Sequence, residues 1–284
     1  MSIQGSALRV TARLKFEGLH AWGLGVAAIR GNGIRAYWFT DVLNFGDLIT
    51  PLLLRHYGYS PIYERPWRAE LVATGSILEH LPNDFRGIIL GSGFIEEKSR
   101  MSFPKARVLA LRGELSRQRV GVTQKLALGD PGLLASEVMP RREQKKFTLG
   151  IVPHHLEKSN PVFGRLMRRL GHDVTLIDAQ GKPQTVFASI DQCEHILSSS
   201  LHGLIVADSL EIPNRWIAAD RLWGGRFKFD DYYSSIGGGE DPATLNGGES
   251  LGQLVALAKP QSADRILERK QTIHGLWASL GQDR

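Results

Sequence analysis

Cys193-Glu194-His195-Ile196-Leu197-Ser198, then Ser199-Ser200, then Leu201-His202-Gly203-Leu204-Ile205-Val206-Ala207-Asp208-Ser209-Leu210, reads as a short strand, a turn of small residues and a helix. The strand is an apolar run without alternation, the pattern of a strand covered on both faces. The helix is small and apolar nearly all round, so it too is expected to be buried. A strand that passes directly into a helix is half of a βαβ unit, and the same rhythm extends in both directions.

Downstream, Asn214–Ala218 reads as the next strand. The turn signal Gly237-Gly238-Gly239 follows, then a helix from Ser262 to Leu280. Upstream, Phe147–Pro153 and Asp173–Asp178 read as strands, and Asn160–Leu170 and Gln184–Ser189 as helices. Residues 137–147 are polar and basic, with Arg141-Arg142 and Lys145-Lys146, and read as a linker. A second series precedes it. Ile34–Phe39, Glu70–Ser76, Gly87–Gly93 and Arg107–Arg112 read as strands. A helix carrying Leu48, Leu52 and Leu53 follows the first strand, with Pro51 in its first turn, where a missing N–H costs nothing. Another helix opens at Gly113-Glu114-Leu115-Ser116, and Leu126–Leu134 closes the series. The fold expected is α/β, with two Rossmann-like domains facing a cleft. Residues 1–33 show little regular pattern and read as an N-terminal extension. The two domains span 34–140 and 141–260, and 261–284 form a C-terminal helix. In sheets of this kind ligands lie beyond the carboxyl ends of the strands, so the cleft is the expected site.

Composition narrows the function. The 284 residues are 42% hydrophobic and 23% charged, enough apolar material for a well-buried core. The net charge of +6 permits anionic partners: phosphates, acidic glycans or an anionic membrane surface. The basic residues are dispersed and no aromatic-studded basic stripe occurs, so nucleic acid is not an expected partner. Cys193 is the one cysteine, which excludes an intrachain disulfide and a cysteine metal cluster. It reads as a buried small residue in a protein of a reducing compartment. No stretch has the length of a membrane span, and Ala21–Ala28, short and Gly-rich, does not read as a signal peptide.

Five segments carry possible chemistry. Asn44-Phe45-Gly46-Asp47 is a Gly-bearing turn that leaves N–H groups free for an anion. Asp47 reads alternatively as a helix cap. Gly91-Ser92-Gly93 allows close backbone approach, to a ligand or simply within a tight turn. Arg112, at a strand end, suits bidentate contact with a carboxylate or phosphate, against the alternative of a surface ion pair with Glu114. In Ser198-Ser199-Ser200-Leu201-His202-Gly203 the hydroxyls and the helix start offer donors to a phosphate. His202 is fit for acid–base work near neutrality, and His154-His155 lies at another strand end. Gly224-Gly225-Arg226-Phe227-Lys228-Phe229-Asp230-Asp231-Tyr232-Tyr233 reads as a loop mixing cations and aromatics, suited to sugar or phosphate. No spacing matches a metal site.

Taken together these segments resemble the polysaccharide pyruvyl transferase family. The resemblance rests on Asn44–Asp47 with its Leu-rich helix, Gly91-Ser92-Gly93, Leu111–Ser116 and Gly129-Asp130-Pro131. Above all it rests on Ser199-Ser200-Leu201-His202-Gly203 with Ala207, Ile212 and Pro213, and it takes in Lys228–Tyr233. It implies a GT-B-like fold and a pyruvyl transfer from phosphoenolpyruvate to two hydroxyls of a sugar, forming a ketal. Arg112 and His202 would serve phosphoenolpyruvate as catalytic residues. Asn44, Gly46, Asp47, Gly91, Ser92, Gly93, Ser199, Ser200, Leu201 and Lys228 would bind substrate. No metal and no cofactor beyond the phosphoenolpyruvate donor is implied. The partner would be a lipid-linked oligosaccharide or polysaccharide acceptor, met in the cytoplasm or at the inner membrane face through peripheral association. Two other readings fit the residues: a GT-B glycosyltransferase using a nucleotide sugar, with Asp208 and Glu211 as its available carboxylates, and a catalytically silent glycan- or anion-binding protein.

Overall fold

The computed structural model describes residues 3–98, 100–139, 144–219 and 225–280, with side chains from Glu17 onward. It opens with α1 (Ile3–Arg30), so the first residues are helical where the sequence suggested little regular pattern. The helix lies on the first sheet. A Cβ on Gly23 would come within 2.8 Å of the Pro61 carbonyl oxygen, so glycine permits the contact. The imidazole of His20 bonds the Tyr63 carbonyl at 2.9 Å.

The first sheet follows. It comprises β1 (Gly33–Tyr37), β2 (Ser60–Tyr63), β3 (Leu71–Val72), β4 (Ile88–Leu90), β5 (Arg107–Leu111) and β6 (Ala127–Leu128). Between them lie α2 (Ile49–His56) and α3 (Glu114–Val120), and α4 (Ala135–Val138) comes after the last strand. The spatial order is β2-β1-β3-β4-β5-β6, with every pairing parallel. β2 escapes sequence reasoning because Pro61 sits within it. As an edge strand it tolerates the missing donor.

The second sheet comprises β7 (Phe147–Val152), β8 (Val174–Leu176), β9 (Cys193–Ser198), β10 (Asn214–Ala218) and β11 (Ala243–Thr244), in the order β11-β10-β9-β7-β8, again parallel. Its helices are α5 (Pro161–Leu170), α6 (Pro183–Asp191), α7 (Leu201–Ser209), α8 (Phe227–Ile236) and α9 (Leu251–Leu257). α8 replaces the loop expected at 224–233. Of that stretch Gly224 lies outside the described residues, as do residues 140–143 of the expected linker. Phe147, the last residue of that linker, already belongs to β7.

The apolar core continues from one sheet to the other, through Val152, Phe187, Val206 and Leu210 to Trp277. The C-terminal α10 (Ala263–Ser279) ties the halves together. Trp277 stacks on Tyr57 of the first half at 5.6 Å. Lys270 donates to Ser136 Oγ at 3.0 Å in the first half and to the Ser209 carbonyl at 2.7 Å in the second.

Both sheets have the same doubly wound order. In each, the second strand lies on one side of the first and the third on the other. The chain therefore reverses direction between β1 and β3, and between β7 and β9. A crevice opens at such a switch point, beyond the carboxyl ends of the strands.

Candidate functional site

A cavity of about 160 Å³ lies where the two switch points meet. Phe39, Asn44 and Asp47 reach it from the segment after β1, and Ser76, Ile77 and His80 from the segment after β3. Across from them stand His154 and His155, after β7, and Ser200, Leu201 and His202, after β9. Lys228 closes the site from the first turn of α8. Of the sequence-derived candidates, Asn44, Asp47, Ser200, Leu201, His202 and Lys228 line one cavity.

His202 is buried, and among the described residues its Nε2 has no hydrogen-bond partner. Burial, reinforced by the nearby cations Arg112 and Lys228, pushes its pKa down to about 3, so the imidazole is neutral at physiological pH. Gly46 seats it. A Cβ there would lie 2.1 Å from the imidazole ring, so only glycine lets this backbone pass. Gly46 therefore backs the histidine. Ser198 anchors the turn before it: its Oγ donates to the Val152 carbonyl at 2.9 Å and accepts from the Ser200 N–H at 3.0 Å. Ser199 accepts the His154 N–H at 2.9 Å, which couples the two loops of this wall. In the first turn of α7 the Gly203 and Leu204 N–H groups donate to the Ser200 carbonyl, and the Leu201 and His202 N–H groups stand at the helix start, where an anion is favoured.

Lys228 is nearly fully buried, and burial followed by the charge of Arg112 lowers its pKa to about 8, while Asp47 and Glu157 oppose the shift. It remains largely a cation at neutral pH. Burial, with Lys228 and His155 adding to it, pushes His154 down to about 3.

Asp47 does not cap α2. That helix starts after Leu48 and has no side-chain cap. Among the described residues its carboxyl makes neither a hydrogen bond nor an ion pair, and it faces the cavity. Burial, then the Asp130 carboxyl, raises its pKa to about 7 against the pull of Lys228. Asp130 is fully buried. One of its oxygens accepts the Gly132 N–H at 2.8 Å and the other has no partner among the described residues. Burial raises it to about 6.

Arg112 lies one layer behind the cavity, fully buried, and does not pair with Glu114, which binds Arg117 instead. Its Nε donates to Asp231 at 2.9 Å, its Nη2 to the Phe94 carbonyl and its Nη1 to the Ser76 hydroxyl. Asp231, on α8, also takes the Ser116 N–H at 2.7 Å and the Ser116 hydroxyl at 2.6 Å. The pair thus bridges the two sheets with its charges satisfied, the condition under which a buried ion pair is tolerated. Gly113 permits it, since a Cβ there would strike the Asp231 carbonyl.

Gly91, Ser92 and Gly93 do not line the cavity. Their closeness serves protein groups. A Cβ on Gly93 would meet the Arg112 guanidinium at 2.5 Å, and one on Gly91 would meet Pro131 at 2.4 Å. Ser92 is buried and donates to the Gly75 carbonyl at 2.8 Å. Sequence reasoning missed Ser76, His80 and Phe39 as cavity residues. Asp130 and Asp231 were visible only as parts of motifs, because Asp231 meets Arg112 and Ser116, and Asp130 acts on Asp47, across distant stretches of sequence.

The fold and site define a two-sheet α/β protein whose shared cavity joins one buried cation to hydroxyls, neutral imidazoles and a carboxyl of raised pKa. The model of the polysaccharide pyruvyl transferase family matches residues 54–221, more than half of the chain. The chain belongs to that family. It is 28% identical over 209 residues to the succinoglycan biosynthesis protein ExoV of Rhizobium meliloti (strain 1021), covering 71% of this chain and 64% of that protein. It is 36% identical over 118 residues to the uncharacterized protein L143 of Acanthamoeba polyphaga mimivirus, covering 39% of this chain and 40% of that one. The matched region spans less than two thirds of the length of either relative. The family match contains Arg112 and His202, whereas Asp47 and Lys228 lie outside it and reach the site through the fold. Among the described residues, no helix is long and apolar enough to cross a membrane.

Proposed function

We propose that this chain transfers a pyruvyl group from phosphoenolpyruvate to two hydroxyls of a glycan acceptor, forming a ketal and releasing phosphate. The observation that carries the reading is the cavity itself. It sits at both switch points, holds a buried lysine, and presents an imidazole nitrogen that has no partner among the described residues, beside the start of a helix. Family membership gives the reaction class, and the name of the Rhizobium relative suggests an exopolysaccharide as the setting.

Phosphoenolpyruvate has two anionic corners, a phosphate and a carboxylate, and one uncharged methylene corner. Lys228 and the N–H groups at the start of α7 suit the anions. Ser76 adds a donor: its oxygen already accepts from Arg112, which leaves its own proton free to point into the cavity. Arg112 acts through its fixed charge and through Ser76, since Nε, Nη1 and Nη2 each donate to protein groups. His202 is neutral before substrate arrives. A bound phosphate at Nε2 reverses the local field and favours protonation there, so His202 can carry a proton to the leaving phosphate. Fixed charges around the developing oxocarbenium centre provide the remaining stabilisation.

The acceptor fitting this scheme is a lipid-linked oligosaccharide or polysaccharide, met in the cytoplasm with peripheral membrane association. The nucleotide-sugar reading finds less support. Asp208 is buried away from the cavity, bonded to Asn214 at 2.6 Å and to the Tyr232 hydroxyl at 2.7 Å. Glu211 is exposed, in a turn at φ 60°.

Titration calorimetry tests the proposal. Phosphoenolpyruvate binds the wild type, nucleotide sugars do not, and His202→Ala weakens phosphoenolpyruvate binding with the circular dichroism spectrum unchanged. Tight binding of a nucleotide sugar in place of phosphoenolpyruvate contradicts it.

A further inference from the structure

We propose that Asp47 is the acid that delivers a proton to the methylene carbon of the enol phosphate, and that its carboxylate then receives the proton of the first attacking hydroxyl. The inference rests on the pyruvyl-transfer reading above.

Three structural features lead to it. Asp47 lines the cavity from the β1 switch point, next to Gly46, which packs against the His202 imidazole. The anionic corners of the substrate are drawn to Lys228 and the start of α7, which leaves the uncharged methylene corner to the groups of the cavity that carry no fixed cation, the Asp47 carboxyl among them. The Asp47 carboxyl is also uncommitted among the described residues, whereas its neighbours are engaged. Asp130 holds the Gly132 N–H, and Asp231 holds Arg112 and Ser116. Finally, Gly75 makes room for it. A Cβ at that position, where φ is 115°, would stand 2.6 Å from Asp47 Oδ1.

The surroundings suit an acid. Asp130, from the turn after β6, and burial both favour the protonated carboxyl, while Lys228 of α8 opposes them, leaving a pKa of about 7. Tyr37 of β1 and His202 of α7 also face this region, and both are uncharged at neutral pH. A general acid works best when its pKa lies near the working pH.

The proton count closes. Asp47 protonates C3 as the first hydroxyl oxygen bonds to C2, and that hydroxyl's proton restores Asp47. The C2–O bond to phosphate then breaks, with its electron pair leaving on the phosphate. The second hydroxyl adds to C2, and its proton passes through His202 to the phosphate. Of the two hydroxyl protons, one is matched by the new methyl hydrogen and the other ends on phosphate.

The test runs the full chain in D2O with phosphoenolpyruvate and a panel of glycosides bearing free 4- and 6-hydroxyls. The wild type places one deuterium in the product methyl group. Asp47→Asn lowers ketal formation by roughly 10²–10⁴-fold, the usual contribution of a general acid. It still shows the phosphoenolpyruvate-induced thermal shift. Asp47→Glu recovers part of the rate, with the alkaline limb of its pH profile displaced. If the wild type is active and Asp47→Asn forms deuteriomethyl ketal within a few fold of it, Asp47 is not the acid and only this assignment falls. If the wild type releases no phosphate with any acceptor, both the assignment and the pyruvyl-transfer reading fall.

Discussion

The segments after β1 and β3 and those after β7 and β9 occupy equivalent places in two sheets of the same order, yet they bring different chemistry to one cavity. The first wall supplies a carboxyl, Asp47, with Ser76 and His80, and the second supplies His154, His155 and His202. Burial drives both kinds of group toward their uncharged forms: it raises Asp47 to about 7 and lowers His202 to about 3. The same desolvation thus leaves an acid holding its proton on one side and a base without one on the other. Lys228, lowered only to about 8, stays cationic between them. Topology fixes where the two walls meet, and burial fixes the charge each presents.

The comparison can be broken at the pair that holds the walls together. Asp231→Ala leaves Arg112 buried and unpaired, and should cost about 3–5 kcal/mol in denaturant unfolding. A loss under 1 kcal/mol would show that the bridge between the halves is carried elsewhere. A smaller effect is expected at the seat of His202. Gly46→Ala places a Cβ against the imidazole, so stability should fall by about 1–3 kcal/mol, and activity should fall with it as the ring moves.

The charge asymmetry predicts a pH signature. Asp47 has a folded pKa near 7 against an ordinary value of 3.8, so the folded state holds its proton over a range where the unfolded state has released it. The wild type therefore loses stability from this group as pH rises through that window. Asp47→Asn should match the wild type near pH 4, gain on it through the window, and exceed it by roughly 4 kcal/mol at pH 8. A gain that is flat with pH would mean that Asp47 ionises freely. The smallest effect is expected at Ser92→Ala. It loses one buried hydrogen bond, about 1 kcal/mol, and should leave turnover unchanged because Ser92 does not line the cavity.

Much of this frame was legible in the sequence. The strands read at Cys193–Ser198 and Asn214–Ala218 are β9 and β10, because unbroken apolar runs between turn signals have few alternatives. α8 was read as a loop. Its N-cap residue, Arg226, makes no capping bond, and the helix is held instead by remote partners: Asp231 by Arg112, and Tyr232 by Asp208. α1 carries four glycines, which lower helix propensity, and Gly23 offsets this through its contact with β2. At the site, His202 and Lys228 were legible from residue type and position. The ion pair that encloses Arg112, and the carboxyl pair of Asp47 and Asp130, depend on long-range packing that local pattern does not encode.

The central claim is that the two walls form one site for phosphoenolpyruvate-dependent glycan pyruvylation. Its most direct test is phosphate release by the full chain from phosphoenolpyruvate, measured with and without an acceptor glycoside, with the product followed by mass spectrometry. The account predicts acceptor-dependent release, one phosphate for each pyruvyl ketal formed, and its loss in His202→Ala. Binding of phosphoenolpyruvate without turnover across the acceptor panel, or turnover that His202→Ala leaves intact, would contradict it.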